Sequence, residues 1–299
     1  IDPTYFAGGE IPLSAERANQ ALARDVGKHL GEDAYNAAWM VSEIVDENMS
    51  NAARVHAVER GRSLSGRTMI AFGGAAPLHA ARMAEKLGIK KIIVPIGAGV
   101  GSAIGFLRAP ISYEVVRSYF TTLSGCDLGR VNDMLEEMSS EAENIVRPAS
   151  TAGEFVDIRT ADMRYVGQGH EIVVPLPKGN LQQADATVLR EAFDKEYRQF
   201  FARVIPDADV EILSWVVTVA TEVERPPTLP KPEHDGETTE LENRRMYDAA
   251  HNKIVDIPVY RRQELRPGGR VGGPAVITED ETATYVSTAF DAYINSAGY

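Results

Sequence analysis

The residues best suited to chemistry in this chain are glycines placed straight after apolar runs. Gly73-Gly74 follows Thr68-Met-Ile-Ala-Phe72, and Gly97-Ala-Gly-Val-Gly-Ser-Ala-Ile-Gly105 follows Lys91-Ile-Ile-Val-Pro95. Lacking a β-carbon, glycine lets the backbone approach a flat base or a phosphate closely and allows φ above zero. The segment between the two stretches, Pro77–Lys86, reads as a helix, whose N-terminal N–H groups would face the same space and favour anions there. Pro77 suits the first turn, where its missing N–H is not needed. Two plainer readings stand beside this one. Gly73-Gly74 can be a simple turn, and Gly101, Ala103 and Gly105 can be small residues that let neighbouring elements pack closely. Neither stretch is a P-loop, because no Gly-Lys-Ser/Thr follows, and neither has the spacing of the dinucleotide fingerprint.

Other polar residues near these elements are candidate cleft or substrate contacts. His79 falls in the first turn of the glycine-linked helix, where it either bonds a carbonyl structurally or reaches a ligand. Glu47, Asn48 and Asn51 lie on a long upstream helix that can edge the same cleft. Gln168 and His170 flank a tight Gly167-Gln168-Gly169 turn, and loop tips carry function more often than strands do. His29, His56, His234 and His251 show no metal-ligand spacing, and Cys126 lacks the basic neighbours of a nucleophile. We therefore assign no metal site and no acid/base pair of carboxylates.

The elements that must position these residues follow from pattern. Ser14 caps a helix that runs to His29 and ends at Gly31. Asp33–Arg60 is strongly helical, and its stripe of Ala38, Val41, Val45, Met49 and Ala52, widened by Ala37, Ile44 and Val55, reads as the core-facing side. Ile111–Arg117 reads as a strand and Val131–Val146 as a helix. Residues 155–177 read as a hairpin, Ala186–Phe201 as an amphipathic helix and Val210–Glu224 as a buried strand around Trp215. A proline-rich linker, Arg225–Pro232, precedes a charged run and then short strands from Met246 to Tyr299. The expected division is 1–120, 121–232 and 233–299. The fold class expected is α/β and α+β, with a β-rich C-terminal piece.

The formal charge of −12 over 299 residues argues against nucleic acid as a partner. One cysteine fits a reducing, cytoplasmic setting. No apolar run approaches the roughly 18 residues of a spanning helix, so no membrane partner is expected. The opening Ile1-Asp-Pro-Thr-Tyr-Phe-Ala-Gly-Gly9 reads like the interior of a longer chain.

Phe72-Gly-Gly-Ala-Ala-Pro-Leu-His-Ala80, with Glu47-Asn-Met-Ser-Asn-Ala52 and Val58-Glu-Arg-Gly61 upstream, resembles the hydantoinase A/5-oxoprolinase family. The likeness extends to Asp2-Pro3 with Tyr5–Gly9, Val94-Pro95 with Gly97–Gly105, Arg164-Tyr-Val-Gly-Gln168 and Gly273-Pro-Ala-Val-Ile277, and so covers essentially the whole chain. It implies a partial lobe of the actin, sugar-kinase and heat-shock ATPase superfamily. It also implies ATP with its Mg2+, and a second, B-type subunit. The substrate implied is a small cyclic amide or, in the acetophenone carboxylase-type relatives, a ketone. Gly73, Gly74, Ala75 and Ala76 would lie beside the nucleotide, together with Gly99 and Gly101 of the stretch that packs at the hinge. Ala76 stands where the family usually has glycine. The family's Asp-Gly-Gly-Thr-type phosphate segments are absent from this chain, which would therefore supply the base-side wall of a cleft and no ATPase activity alone. A non-catalytic assembly module is the reading from a different class.

Overall fold

The computed structural model describes residues 3–149, 155–182, 185–222, 227–232, 238–248 and 253–299. Contacts group the chain into two compact units, Ile1–Leu107 with Pro227–Tyr299, and Arg108–Pro226. The β-rich end shares a unit with the glycine stretches.

The first unit begins with α1 (Ala15–Leu22), whose Ser14 cap accepts from the Arg17 N–H at 3.2 Å. A π turn, Ala23–Gly27, and the single turn α2 (Lys28–Leu30) lead to Gly31 in the left-handed conformation. The long helix α3 (Ala34–Glu59) is capped by Asp33, which accepts from the Asn36 N–H at 2.8 Å. Next come β1 (Thr68–Ile70), α4 (Ala76–Leu87), β2 (Lys91–Ile93) and α5 (Gly101–Arg108). The two strands pair in parallel, Met69 opposite Ile92, with α4 as the crossover. Gly88 closes α4 in the left-handed region expected of a helix-ending glycine.

The expected burial of α3 is corrected by the structure. Ala37 of the expected stripe is buried, but Val41, Ile44, Val45 and Val55 are exposed, whereas Asp46, Ser50 and Ala57 are buried. The reason lies in α4, which buries Ala80, Ala81 and Ala84 and presents charged side chains to α3. Glu43 accepts from Arg82 Nη2 at 2.7 Å and Lys86 Nζ at 2.6 Å, and Glu47 accepts from Lys86 at 2.9 Å. Arg54 closes the network by donating to Glu47 and to the Lys86 carbonyl. Charge complementarity, not the apolar stripe, chooses the face that meets α4.

The second unit holds β3 (Ser112–Thr122), α6 (Leu128–Val146), β4 (Phe155–Tyr165), β5 (Ile172–Pro175), α7 (Asp185–Phe201) and β6 (Val210–Thr221). Its antiparallel sheet has the order β3-β6-β4-β5, so β6 is interior, as its apolar run requires. The 155–177 hairpin is present as β4 and β5, with Ala161 opposite Val174. Trp215 is buried among Leu135, Met138, Phe193 and their neighbours on α6 and α7, and its indole N–H donates to the Tyr119 carbonyl at 3.2 Å. The Glu222–Arg245 region, His234 and His251 fall partly or wholly outside the described residues.

The chain then returns to the first unit. Strands β7 (Glu242–Asp248), β8 (Lys253–Arg261), β10 (Ala275–Thr278) and β11 (Ala283–Val286) form a sheet of order β11-β10-β8-β7. β9 (Arg270–Gly272) pairs with β12 (Asp291–Tyr293). Tyr260, Leu265, Val271, Ile277, Val286 and Ile294 make its main core.

Candidate nucleotide site

The parallel strands end together, and the backbone beyond them forms the candidate site. The ladder continues through the Ala71 N–H, which donates to the Ile93 carbonyl at 2.9 Å, and the Gly73 N–H then donates to the Ala98 carbonyl at 2.6 Å. The two glycine stretches are therefore bonded to each other. Gly73 sits at φ +108°, a conformation L side chains rarely adopt, and a β-carbon there would meet no atom within 4 Å. Gly74 is nearly as open, with only the Glu281 carbonyl at 3.6 Å from the same position. Ala75 is exposed and Ala76 starts α4, with Pro77 buried in the first turn.

The second glycine stretch is occupied differently. A β-carbon on Gly99 would lie 2.4 Å from the Glu281 β-carbon, and one on Gly101 would lie 3.3 Å from the Phe72 ring. These two positions allow close packing of protein on protein, and the space in front of them is filled. The packing reading of this stretch fits both residues.

The neighbour that fills this space, the turn between β10 and β11, gave no signal in the sequence. Thr282 Oγ1 donates to the Gly74 carbonyl at 2.7 Å, and Ser287 Oγ donates to Glu85 at 2.6 Å. Arg262, almost fully buried, donates to the carbonyls of Val94 (2.8 Å) and Gly298 (2.9 Å), and its Nε lies 3.6 Å from Glu279. Burial pushes the Glu279 carboxyl up, while Arg262 and the Gly97 N–H pull it down. The β-rich end is thus pinned to both glycine stretches. Two hydroxyls and one arginine far along the chain carry no periodicity that would announce this role.

The candidate contacts separate on inspection. His79 Nδ1 lies 2.8 Å from Oδ1 of buried Asp46, a pairing that nothing local announces because the two residues are 33 positions apart. Glu47 is committed to Lys86 and Arg54, which lower its pKa through hydrogen bonds, and Asn51 accepts from Arg54 at 2.7 Å. Asn48 is exposed among the apolar residues of the outer stripe. Gln168 and His170 belong to the other unit, where Gln168 donates to the Tyr197 hydroxyl at 2.8 Å and His170 is exposed. Cys126 is half-buried, with its thiol pushed up by burial and by Asp127.

Comparison with known proteins matches this architecture. The hydantoinase/oxoprolinase profile matches residues 1–115, and the hydantoinase/oxoprolinase C-terminal domain profile matches residues 128–297. The chain belongs to the hydantoinase/oxoprolinase family. It is 27% identical to the caprolactamase subunit alpha of Pseudomonas jessenii, over 92% of this chain and 40% of that protein. It is 26% identical to the acetone carboxylase beta subunit of Xanthobacter autotrophicus, over 99% of this chain and 43% of that protein. The structure of the ATP-dependent caprolactamase superposes with a TM-score of 0.78 at 26% identity, covering 98% of this chain and 43% of that one. A nucleotide-free structure of acetone carboxylase, described as carrying out ATP-dependent acetone carboxylation, gives 0.76 at 25%, covering 100% and 44%. The chain spans less than half the length of these relatives.

The ATP dependence of these two relatives can be tested against the residues in place. Open backbone at Gly73 and Gly74, with the start of α4 beyond it, fits a flat nucleoside laid against the turn. Gly99 and Gly101 do not fit direct contact, because Glu281 and Phe72 already cover them. Among the described residues, no group of three or more His, Cys, Asp or Glu side chains could hold a metal ion, and no helix is long and apolar enough to cross a membrane.

Proposed function

We propose that this chain supplies the adenosine-side wall of an ATP-dependent enzyme that opens a cyclic amide, as part of an actin-like lobe. The observation that carries the reading is the Gly73-Gly74 turn, whose positive φ and free surface leave room for a ligand beside a helix start. Bound Mg-ATP would supply the phosphoryl group that activates the substrate's oxygen. This chain's part is to seat the nucleoside, and phosphoryl transfer depends mainly on such positioning. Gly73, Gly74, Ala75 and Ala76 form the wall, and Gly99 and Gly101 fix its shape through the packing behind it. A second, B-type subunit would complete the reaction, in the cytoplasm that the single Cys126 suits. The comparable likeness to the acetone carboxylase subunit supports a second substrate class, a ketone activated for carboxylation.

Equilibrium binding of a fluorescent ATP analogue tests the wall. Gly74→Asp fits sterically, since its β-carbon meets only the Glu281 carbonyl at 3.6 Å, and it sets a carboxylate where the nucleotide would lie. The expected result is binding by the parent chain and at least a tenfold loss, about 1.4 kcal/mol, in the folded variant. Unchanged binding by the variant, or none by the parent, would overturn the nucleotide wall and leave an assembly module in its place.

A further inference from the structure

We propose that His79 contacts the nucleotide through its Nε2, as an acceptor for a nucleoside donor group, and that buried Asp46 is the positioning residue that fixes its proton on Nδ1. The inference rests on the nucleotide reading above and deepens it. Asp46 keeps 4% of its surface, and its Oδ1 lies 2.8 Å from His79 Nδ1. An ionised carboxylate can only accept, so Nδ1 donates, and in the neutral ring Nε2 then keeps its lone pair. Among the described residues, Nε2 has no protein partner and is not a buried orphan, so it reaches solvent through the 22% of the side chain left exposed.

The placement follows from helix geometry. His79 belongs to the first turn of α4, and Cα–Cβ bonds in a helix tilt toward its N-terminus. The Cα–Cβ bond of His79 therefore tilts toward the end of α4 that follows Gly73-Gly74. A structural role would be met equally well by an outward histidine bonded to a carbonyl. Here a carboxylate is buried instead, which is costly unless paired. Burial pushes the Asp46 carboxyl up, with the His79 hydrogen bond working against it. Glu43 and Lys86, the other charged groups that bear on Asp46, are held by Arg82 and Glu47. That leaves the imidazole as the direct partner of Asp46.

The donor on the ligand is a ribose hydroxyl or the adenine amine, and the test separates them. The full chain is labelled with 15N-histidine, and two-bond proton–nitrogen spectra are taken with ATP, 2′-deoxyATP and ITP; His79→Gln identifies the His79 signals. Expected is a neutral ring protonated on Nδ1, with an Nε2 resonance that moves on ATP binding. Failure of that shift with ITP assigns the amine, and failure with 2′-deoxyATP assigns the ribose hydroxyl. Asp46→Ala should release the ring to the Nε2–H tautomer and weaken ATP binding about three- to tenfold. ATP binding with an unmoved Nε2 overturns the contact while leaving the nucleotide wall in place. An Asp46→Ala protein with unchanged tautomer and affinity overturns the positioning role, and no ATP binding at all overturns both the contact and the wall.

Discussion

Three glycines of the candidate site should respond to alanine in three different ways. In Gly99→Ala the new methyl would lie 2.4 Å from the Glu281 β-carbon and 2.8 and 2.9 Å from its carbonyl oxygen and carbon. Backbone cannot swing aside as a flexible side chain can, so the turn between β10 and β11 must lift, at a cost of about 1–3 kcal/mol for overpacking. Gly73→Ala meets no atom within 4 Å but must hold φ at +108°, a strain of order 1–3 kcal/mol with no steric neighbour. Gly105→Ala lies within α5 with nothing nearby, and should stabilise by up to about 1 kcal/mol. Urea unfolding measures the cost, and hydrogen-exchange mass spectrometry shows where it falls. Gly99→Ala should speed exchange in peptides spanning Glu279–Thr282, whereas Gly73→Ala should leave them protected. Adding Glu281→Gly removes the 2.4 Å contact but not the carbonyl at 2.8 Å, so it should rescue Gly99→Ala only in part. A Gly99→Ala protein within about 0.5 kcal/mol of the parent, the range of ordinary surface changes, would refute the packing of Glu281 on this glycine.

Other predictions concern charge and capping. Arg82, with Lys86, holds the Glu43 carboxyl down to about 2 from its ordinary 4.5. The shift is worth on the order of 3 kcal/mol, present above the unfolded value and lost as pH falls toward the folded one. The stability gap between the parent and Glu43→Gln should therefore shrink between about pH 7 and about pH 3 in urea titrations, and a gap independent of pH would contradict the network. Arg262→Met strands Glu279 and two carbonyls in a buried place and should cost about 3–5 kcal/mol. Because Glu279 is already pushed up by burial, its protonation in the fold should make that cost smaller at acidic than at neutral pH, read in the same titrations. Asp127→Ala removes the cap of α6, which accepts from the Arg130 N–H at 3.2 Å, and should cost about 1 kcal/mol, detected as faster exchange in α6.

How much of this could be read in advance depended on the kind of signal. The glycine-linked strand–helix–strand was legible because its punctuation is local: Gly73, Pro77 and Gly88 each impose a backbone conformation whatever surrounds them. The 155–177 hairpin and the interior β6 were legible from alternation and a long apolar run. The role of the β10–β11 turn was not, because Thr282 and Glu281 act through contacts some two hundred positions away, 208 for Thr282 and Gly74, and nothing local marks them.

The long helix α3 shows the opposite failure, a strong periodic signal attached to the wrong face. Periodicity says that one side of a helix differs from the other, and the hydrophobic effect says that the apolar side gains from cover. Neither says which neighbour supplies it. In this chain α4 meets α3 with Arg82, Lys86 and His79, so the side bearing Glu43, Asp46 and Glu47 pairs with it and Val41, Ile44 and Val55 stay outside. The same choice of face is what buries Asp46 beneath His79. Had the apolar stripe packed on α4, Asp46 would have remained solvated and the imidazole would have lost the one partner that fixes its proton. The misreading of the helix and the omission of Asp46 from the site are therefore a single error, and correcting the first supplies the second.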